Sequence, residues 1–170
     1  DWGVHHVDIG IWALGVDKTG PTTIQGKGEF NQEKNCYNVA RTFDCTLDFE
    51  NGNQVVLNSG ENALLIEGEK GRIRVTSGSL TGKPVEEIEA SAAEKEWLQG
   101  EVEKLYRGMR MHGHMQNFFD CVKDRKLPVS DVFTHHRSVS ACHLANIAMQ
   151  LDRKLTWDPD AQDFVDDAEA

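Results

Sequence analysis

No apolar run in this chain approaches the length of a membrane span, and nothing at its start reads as a secretion signal. Basic charge is also scarce: 18 Lys and Arg stand against 28 Asp and Glu, a formal net charge of -10. That balance excludes the clustered positive surface that nucleic acids and anionic membranes require. The four cysteines, Cys36, Cys45, Cys121 and Cys142, show no C-x-x-C spacing. They read as buried or partly buried thiols and build neither a disulfide framework nor a zinc knuckle. Phosphate-binding glycine loops are missing as well, with no G-x-G-x-x-G after a strand and no P-loop. There is no G-x-S-x-G elbow, and Ser138 and Ser140 have no special context.

What is present is 170 residues, 39% hydrophobic and 27% charged, enough for one domain with a real core. The chain begins inside a motif at Asp1, with no element before it to position that residue. It therefore reads as a fragment whose upstream part is missing. The expected compartment is the cytoplasm, and the periplasm stays open because the parent's start is not in view.

Residues 1–15 have helical periodicity. Val4, Val7, Ile11 and Leu14 form a core stripe, and Asp1, His5, Asp8 and Trp12 form a second one. Asp1 is the expected N-cap and Gly15 the stop. A carboxylate one turn before a histidine can hold one ring nitrogen and leave the other to exchange a proton near neutral pH. The plainer reading of the pair is a surface or interhelical hydrogen bond. A metal site using His5, His6 and Asp8 is weaker, because adjacent histidines on a helix point about 100° apart.

The middle of the chain reads as one antiparallel sheet. Residues 22–30 are a strand, in which Gly26 and Gly28 imply a bulge or a close backbone approach. Residues 39–49 alternate, with Val39, Phe43, Cys45, Leu47 and Phe49 on one face. Asn51-Gly52 predicts a two-residue turn, which pairs Leu47 with Val56 and places Val55 and Leu57 on the polar face of the preceding strand. A face so mixed suits a subunit interface, so a homo-oligomer through the sheet is expected. Residues 63–67, 72–76 and 85–90 read as further strands, and 91–106 as a surface helix or a mobile loop. Two helices follow, 113–125 with Met115, Phe118, Phe119 and Val122 at core spacing, and 134–151. Residues 154–157 are extended, and the acidic tail reads as a loose end. The pattern is α+β: an open, mainly antiparallel sheet with helices packed on one face, in a single domain over residues 1–170.

Seven histidines fall in three places: His5 and His6, His112 and His114, and His135, His136 and His143. Neutral imidazoles near helix starts suit the local dipole. If they converge, they line a polar pocket for a hydroxyl-rich ligand. The alternative is that His112-Gly113-His114 is a cap and loop and that His143 packs mid-helix.

At Asp1-x-x-x-His5 the chain resembles the C-terminal domain of the Gfo/Idh/MocA oxidoreductases, the family of glucose–fructose oxidoreductase and inositol dehydrogenase. The likeness continues through Asn51-Gly52, Glu67-Gly68-Glu69-Lys70-Gly71, Asn117-Phe118-x-Asp120-Cys121-Val122 and His136-Arg137-Ser138. It runs on to Arg153-Lys154-Leu155-x-Trp157-Asp158-Pro159, and it is strongest to bacterial sugar dehydrogenases. The resemblance implies the substrate-binding half of an NAD(P)-dependent oxidoreductase acting on a sugar, polyol or related carbohydrate. A Rossmann domain, absent from this chain, would bring NAD or NADP and a catalytic lysine, and no cofactor is expected on this chain alone. His5 becomes the general base and Asp1 the residue that orients it. His6, Asp8, His112, His114 and His136 become the candidate substrate contacts, and no metal ligand is assigned. Redox-assisted glycoside cleavage on the same scaffold is the first alternative, and a free-standing binding or oligomerisation domain is the second.

Overall fold

Every strand pair among the described residues, 2–31 and 36–170 of the computed structural model, is antiparallel. The order is α1 (Trp2–Ala13), β1 (Thr23–Phe30), β2 (Ala40–Asp48), β3 (Gln54–Asn58), β4 (Leu64–Gly68), β5 (Gly71–Val75), β6 (Leu80–Thr81), α2 (Lys83–Ala90), α3 (Ala92–Leu105), α4 (His114–Asp124), α5 (Val132–Leu151), β7 (Leu155–Asp158) and β8 (Asp163–Phe164). Two compact units share the chain, Asp1–Asn62 with Phe133–Ala170, and Ala63–Val132. The strands fall into two sheets, where the sequence suggests one: β3-β2-β1-β7-β8, and β4-β5-β6.

In the first unit, Ile24 pairs with Leu47 and Leu155, Leu47 with Val55, and Cys45 with Leu57, so these side chains share one face. Helices α1 and α5 cover that face. Val7 and Ile11 from α1 and Ala141, Leu144, Ala145 and Ala148 from α5 join Ile24, Cys45, Leu47 and Leu155 in one buried cluster. Each large aliphatic here contributes about 1.5–3 kcal/mol by leaving water. Small residues let α5 come close. A Cβ on Gly26 would stand 2.7 Å from Cys45 Sγ and 3.1 Å from Met149 Cγ. Both features read from the β1 glycines are present, the close approach here and a register slip between Glu29 and Phe30.

The hairpin register departs from the expected one. Phe49 N–H donates to Asn53 O at 2.9 Å and Gly52 N–H to Phe49 O at 3.0 Å, with Gly52 at φ +83°. The loop is thus a three-residue turn with a left-handed glycine, and Leu47 meets Val55 instead of Val56. One residue of slip inverts a whole strand. Val55 and Leu57 therefore face the core, and Val56 points outward, 51% exposed. The outer face carries Gln25, Lys27, Thr42, Asp44 and Gln54, all exposed, so it is more polar than the sequence reading required.

In the second unit, β4 and β5 form a tight hairpin with Gly68 opposite Gly71. Residues 85–90, read as a strand, belong to α2. Pro84 is the reason: at the first turn its fixed φ is helical, and its missing N–H is one that a helix start does not use. Val85 and Ile88, three apart, lie half-buried on one side. Segment 91–106 is helical, with Ser91 Oγ accepting from Glu94 N–H at 3.2 Å at the start of α3. On α4 the expected core residues Met115, Phe118, Phe119 and Val122 are 50–65% exposed, while Asn117 and Cys121 are buried. Asn117 Oδ1 accepts from Val129 N–H at 2.9 Å. Val129 is half-buried, and its N–H finds its acceptor in the amide that α4 turns toward it.

The acidic tail is latched, contrary to the sequence reading. Arg153 clamps the Asp167 carboxylate through both terminal nitrogens, and this holds Asp167 down at about 2. Trp157 meets Phe164 edge to face at 5.0 Å, and Ala170 packs against the core.

All four cysteines are free. Burial pushes the Cys45 thiol up to about 11, helped by the charge of Asp44, and burial also raises Cys142. Cys36 is exposed. Thiolate is the reactive form. Iodoacetamide at pH 8 is therefore expected to label Cys36 well before Cys45 in peptide mass maps. Equal labelling of the folded protein would contradict this packing.

Candidate active site on the first helix

Helix α1 is fixed along one flank. Val7 and Ile11 sit in the core at 1% exposure each. Its end is a Schellman closure: Val16 N–H donates to Ile11 O at 3.1 Å and Gly15 N–H to Trp12 O at 3.0 Å, with Gly15 at φ +66°. The expected stop at Gly15 is therefore real, and Val16 returns into the same core.

The neighbouring stripe carries the chemistry. His5 is exposed, Asp8 is half-buried, and Trp12 is 57% exposed. Asp8 ties α1 to α5. Ser138 Oγ, only 1% exposed as a residue, donates to Asp8 Oδ1 at 2.6 Å. His135 Nε2 stands 3.6 Å from Asp8 Oδ2, and Thr134 Oγ1 lies 3.4 Å from His135 Nδ1. A short hydroxyl–carboxylate bond of this kind is among the stronger neutral–ionic contacts. It sets the rotation of α1 about its axis and so the direction in which His5 is offered. His6 lies about 100° around the helix from His5 and half-buried, off the Asp8 stripe. Asp1, the expected partner of His5, lies outside the described residues.

The other candidate histidines have separate settings. His136 Nε2 meets Gln162 Oε1 at 2.6 Å, and the next residue, Arg137, donates to Pro159 O at 2.7 Å. Thus His136-Arg137-Ser138 staples α5 to the β7–β8 turn on one side and to α1 on the other. In the second unit, His112 Nδ1 lies 2.8 Å from Arg110 O and Nε2 lies 3.2 Å from Asp120 Oδ2. His114 opens α4 and is exposed. The sequence gives Ser138 no special context and groups His135 only with the histidines that could line a polar pocket; neither is singled out as a partner of Asp8. A signal for the first existed: Ser138 shares helical spacing with Ala141, Ala145 and Ala148, which places one hydroxyl on a buried stripe.

Among the described residues, no three His, Cys, Asp or Glu side chains cluster as a metal site. A dinucleotide seat needs a parallel β-α-β unit with a glycine turn under the pyrophosphate. Every strand pair among the described residues is antiparallel, so no such parallel unit lies among them. No described helix is long and apolar enough to cross a membrane.

Over residues 1–170 the chain matches the family described as oxidoreductase family, C-terminal alpha/beta domain, of the Gfo/Idh/MocA group. Among solved structures it is similar to the WlbA dehydrogenase from Bordetella pertussis in complex with NADH and UDP-GlcNAcA. That likeness has a TM-score of 0.59 at 13% identity, covering 92% of this chain and 43% of the other. An oxidoreductase from Agrobacterium radiobacter in complex with NAD+, L-tartaric acid and magnesium is similar at TM-score 0.54 and 15% identity, covering 92% of this chain and 48% of that one. The chain spans less than half the length of either. At these identities the likeness is one of fold. No curated protein shows a match. Matched along its whole length, this chain belongs to the Gfo/Idh/MocA oxidoreductase family, as its C-terminal α/β domain.

Proposed function

We propose that this chain is the substrate-binding half of an NAD(P)-dependent oxidoreductase that acts on a sugar, polyol or related carbohydrate by hydride transfer. The observation that carries the reading is the exposed imidazole of His5 on a helix locked from behind, in a chain of an oxidoreductase family. Oxidising a carbinol removes a hydride from carbon and a proton from oxygen. This chain's share is the proton. His5 accepts it, Asp1 orients His5, and Asp8 and His135 offer hydrogen-bond partners to neighbouring hydroxyls. His6 and His136, in the same unit as His5, are proposed as further substrate contacts, and His112 and His114 as sugar-binding groups of the second unit. The dinucleotide, as hydride acceptor, belongs to a nucleotide-binding domain outside this chain. WlbA in complex with NADH and UDP-GlcNAcA and the Agrobacterium enzyme in complex with NAD+ support that division. The chain self-associates through the outer face of the sheet, which carries Thr42, Thr46 and Val56.

The division of labour has a direct test. Calorimetric titration of the 170-residue chain with NAD and with NADP should be flat, since its sequence has no glycine-rich loop to cradle a pyrophosphate. A dissociation constant in the micromolar range would overturn it. With the full-length enzyme, aldoses and polyols should drive NADH or NADPH formation; turnover confined to simple aliphatic alcohols would rule out a carbohydrate substrate.

A further inference from the structure

Trp12 is 57% exposed, while Val7 and Ile11 on the adjoining flank of the same helix are buried. An indole holds about 150–250 Å² of surface that would gain by leaving water. Trp12 shares its stripe with His5 and Asp8, so all three project from one arc of α1. From His5 to Trp12 is about 10 Å along the axis, seven residues at about 1.5 Å each. Asp8 stands between them, held by Ser138 at 2.6 Å.

We propose that Trp12 is a stacking platform for a second sugar ring, so that the substrate is a glycoside of at least two linked rings, with the ring being oxidised at His5. This rests on the reading of His5 as the proton acceptor. A pyranose ring centred on His5 lies about two helical turns from Trp12, and the next ring along the stripe falls against the indole. The C–H face of a pyranose packs flat against an indole, and its hydroxyl edge meets carboxylate and imidazole groups. Asp8 and His135 provide those between the two ends. Charge argues against a nucleotide-linked sugar here. Residues 1–15 contain no lysine or arginine, and the described stripe carries a carboxylate, so α1 offers no clamp for a diphosphate.

The test is an NMR titration of the ¹⁵N-labelled chain, with the Trp12 indole N–H assigned through Trp12→Phe and the His5 ring through His5→Gln. Glucose and myo-inositol are the one-ring probes, and maltose and cellobiose the two-ring probes. The expected result is that a two-ring probe shifts the Trp12 indole and the His5 ring together, while one-ring probes shift His5 alone. Trp12→Ala should weaken the two-ring probe about 2- to 10-fold, the usual worth of an aromatic contact, and leave the one-ring probes unchanged. Trp12→Phe should keep most of the affinity. A two-ring probe that shifts His5 and leaves Trp12 still overturns the platform and spares the reading of His5. Equal shifts of Trp12 by one-ring probes overturn the two-ring substrate. If no probe moves His5, the proposed function and the platform fall together. A change in sedimentation mass on Trp12→Ala without a change in sugar affinity makes Trp12 a protein contact and overturns the platform.

Discussion

His5→Ala in the full-length enzyme is expected to lower kcat by roughly 10²–10⁴-fold, the usual worth of a positioned general base. The loss should be chemical and not structural. His5 is exposed, and α1 is held without it by Val7, Ile11 and the Asp8–Ser138 hydrogen bond. Substitutions at such surface positions change stability by about 0.5 kcal/mol or less. The urea midpoint should therefore match the wild type while turnover collapses. His5→Gln keeps a hydrogen-bonding side chain of similar reach but cannot carry the proton, so it should fail almost as badly. Replacing Asp1 should cost less, because it orients the base and does not accept the proton. Near-normal turnover of His5→Ala at saturating sugar would make His5 a structural residue and remove the assignment.

The largest stability effect is expected at Gly82→Ala. Gly82 has φ 132° and ψ 158°, a backbone region essentially reserved for glycine. Its carbonyl accepts from Val85 N–H at 3.0 Å and from Glu86 N–H at 3.1 Å, so the corner also starts α2. A Cβ here would stand 2.0 Å from the Arg72 carbonyl oxygen, which is backbone and cannot swing aside. The conformational cost is about 1–3 kcal/mol. Forced overpacking adds about 1–3 kcal/mol more. The second unit should lose its cooperative urea transition or show it at a much lower midpoint. Gly78→Ala is the control, since a Cβ there meets nothing within 4 Å. If the two variants unfold at the same midpoint, the strand-to-helix corner at Gly82 is not built as described.

Local pattern carried a good part of this molecule. The 3–4 spacing of Val4, Val7, Ile11 and Leu14 was enough to orient α1, and alternation along residues 39–49 was enough to orient β2, except at Val39, which is 61% exposed. Both signals are strong because an element that buries one face must repeat its apolar residues at its own period. The ordered short motifs, none diagnostic singly, were enough to indicate the family.

Tertiary structure alone decided the rest. Asn51-Gly52 suits a two-residue turn, yet Gly52 serves equally well as the left-handed residue of a three-residue one, and only the pull of the core on Val55 and Leu57 selects between them. The apolar spacing of α4 marked a stripe but not its cover, and a lone backbone donor at Val129 turned Asn117 inward instead. The tail looked loose because acidic residues repel, until Arg153, 14 residues before Asp167, was brought beside it. His135 and Ser138 become neighbours of Asp8 only across 127 and 130 residues of chain. Spacing within an element is dictated by backbone geometry and is therefore written in the sequence. Contacts between elements depend on which buried surfaces and polar groups find one another once loops have closed, and no local period records that.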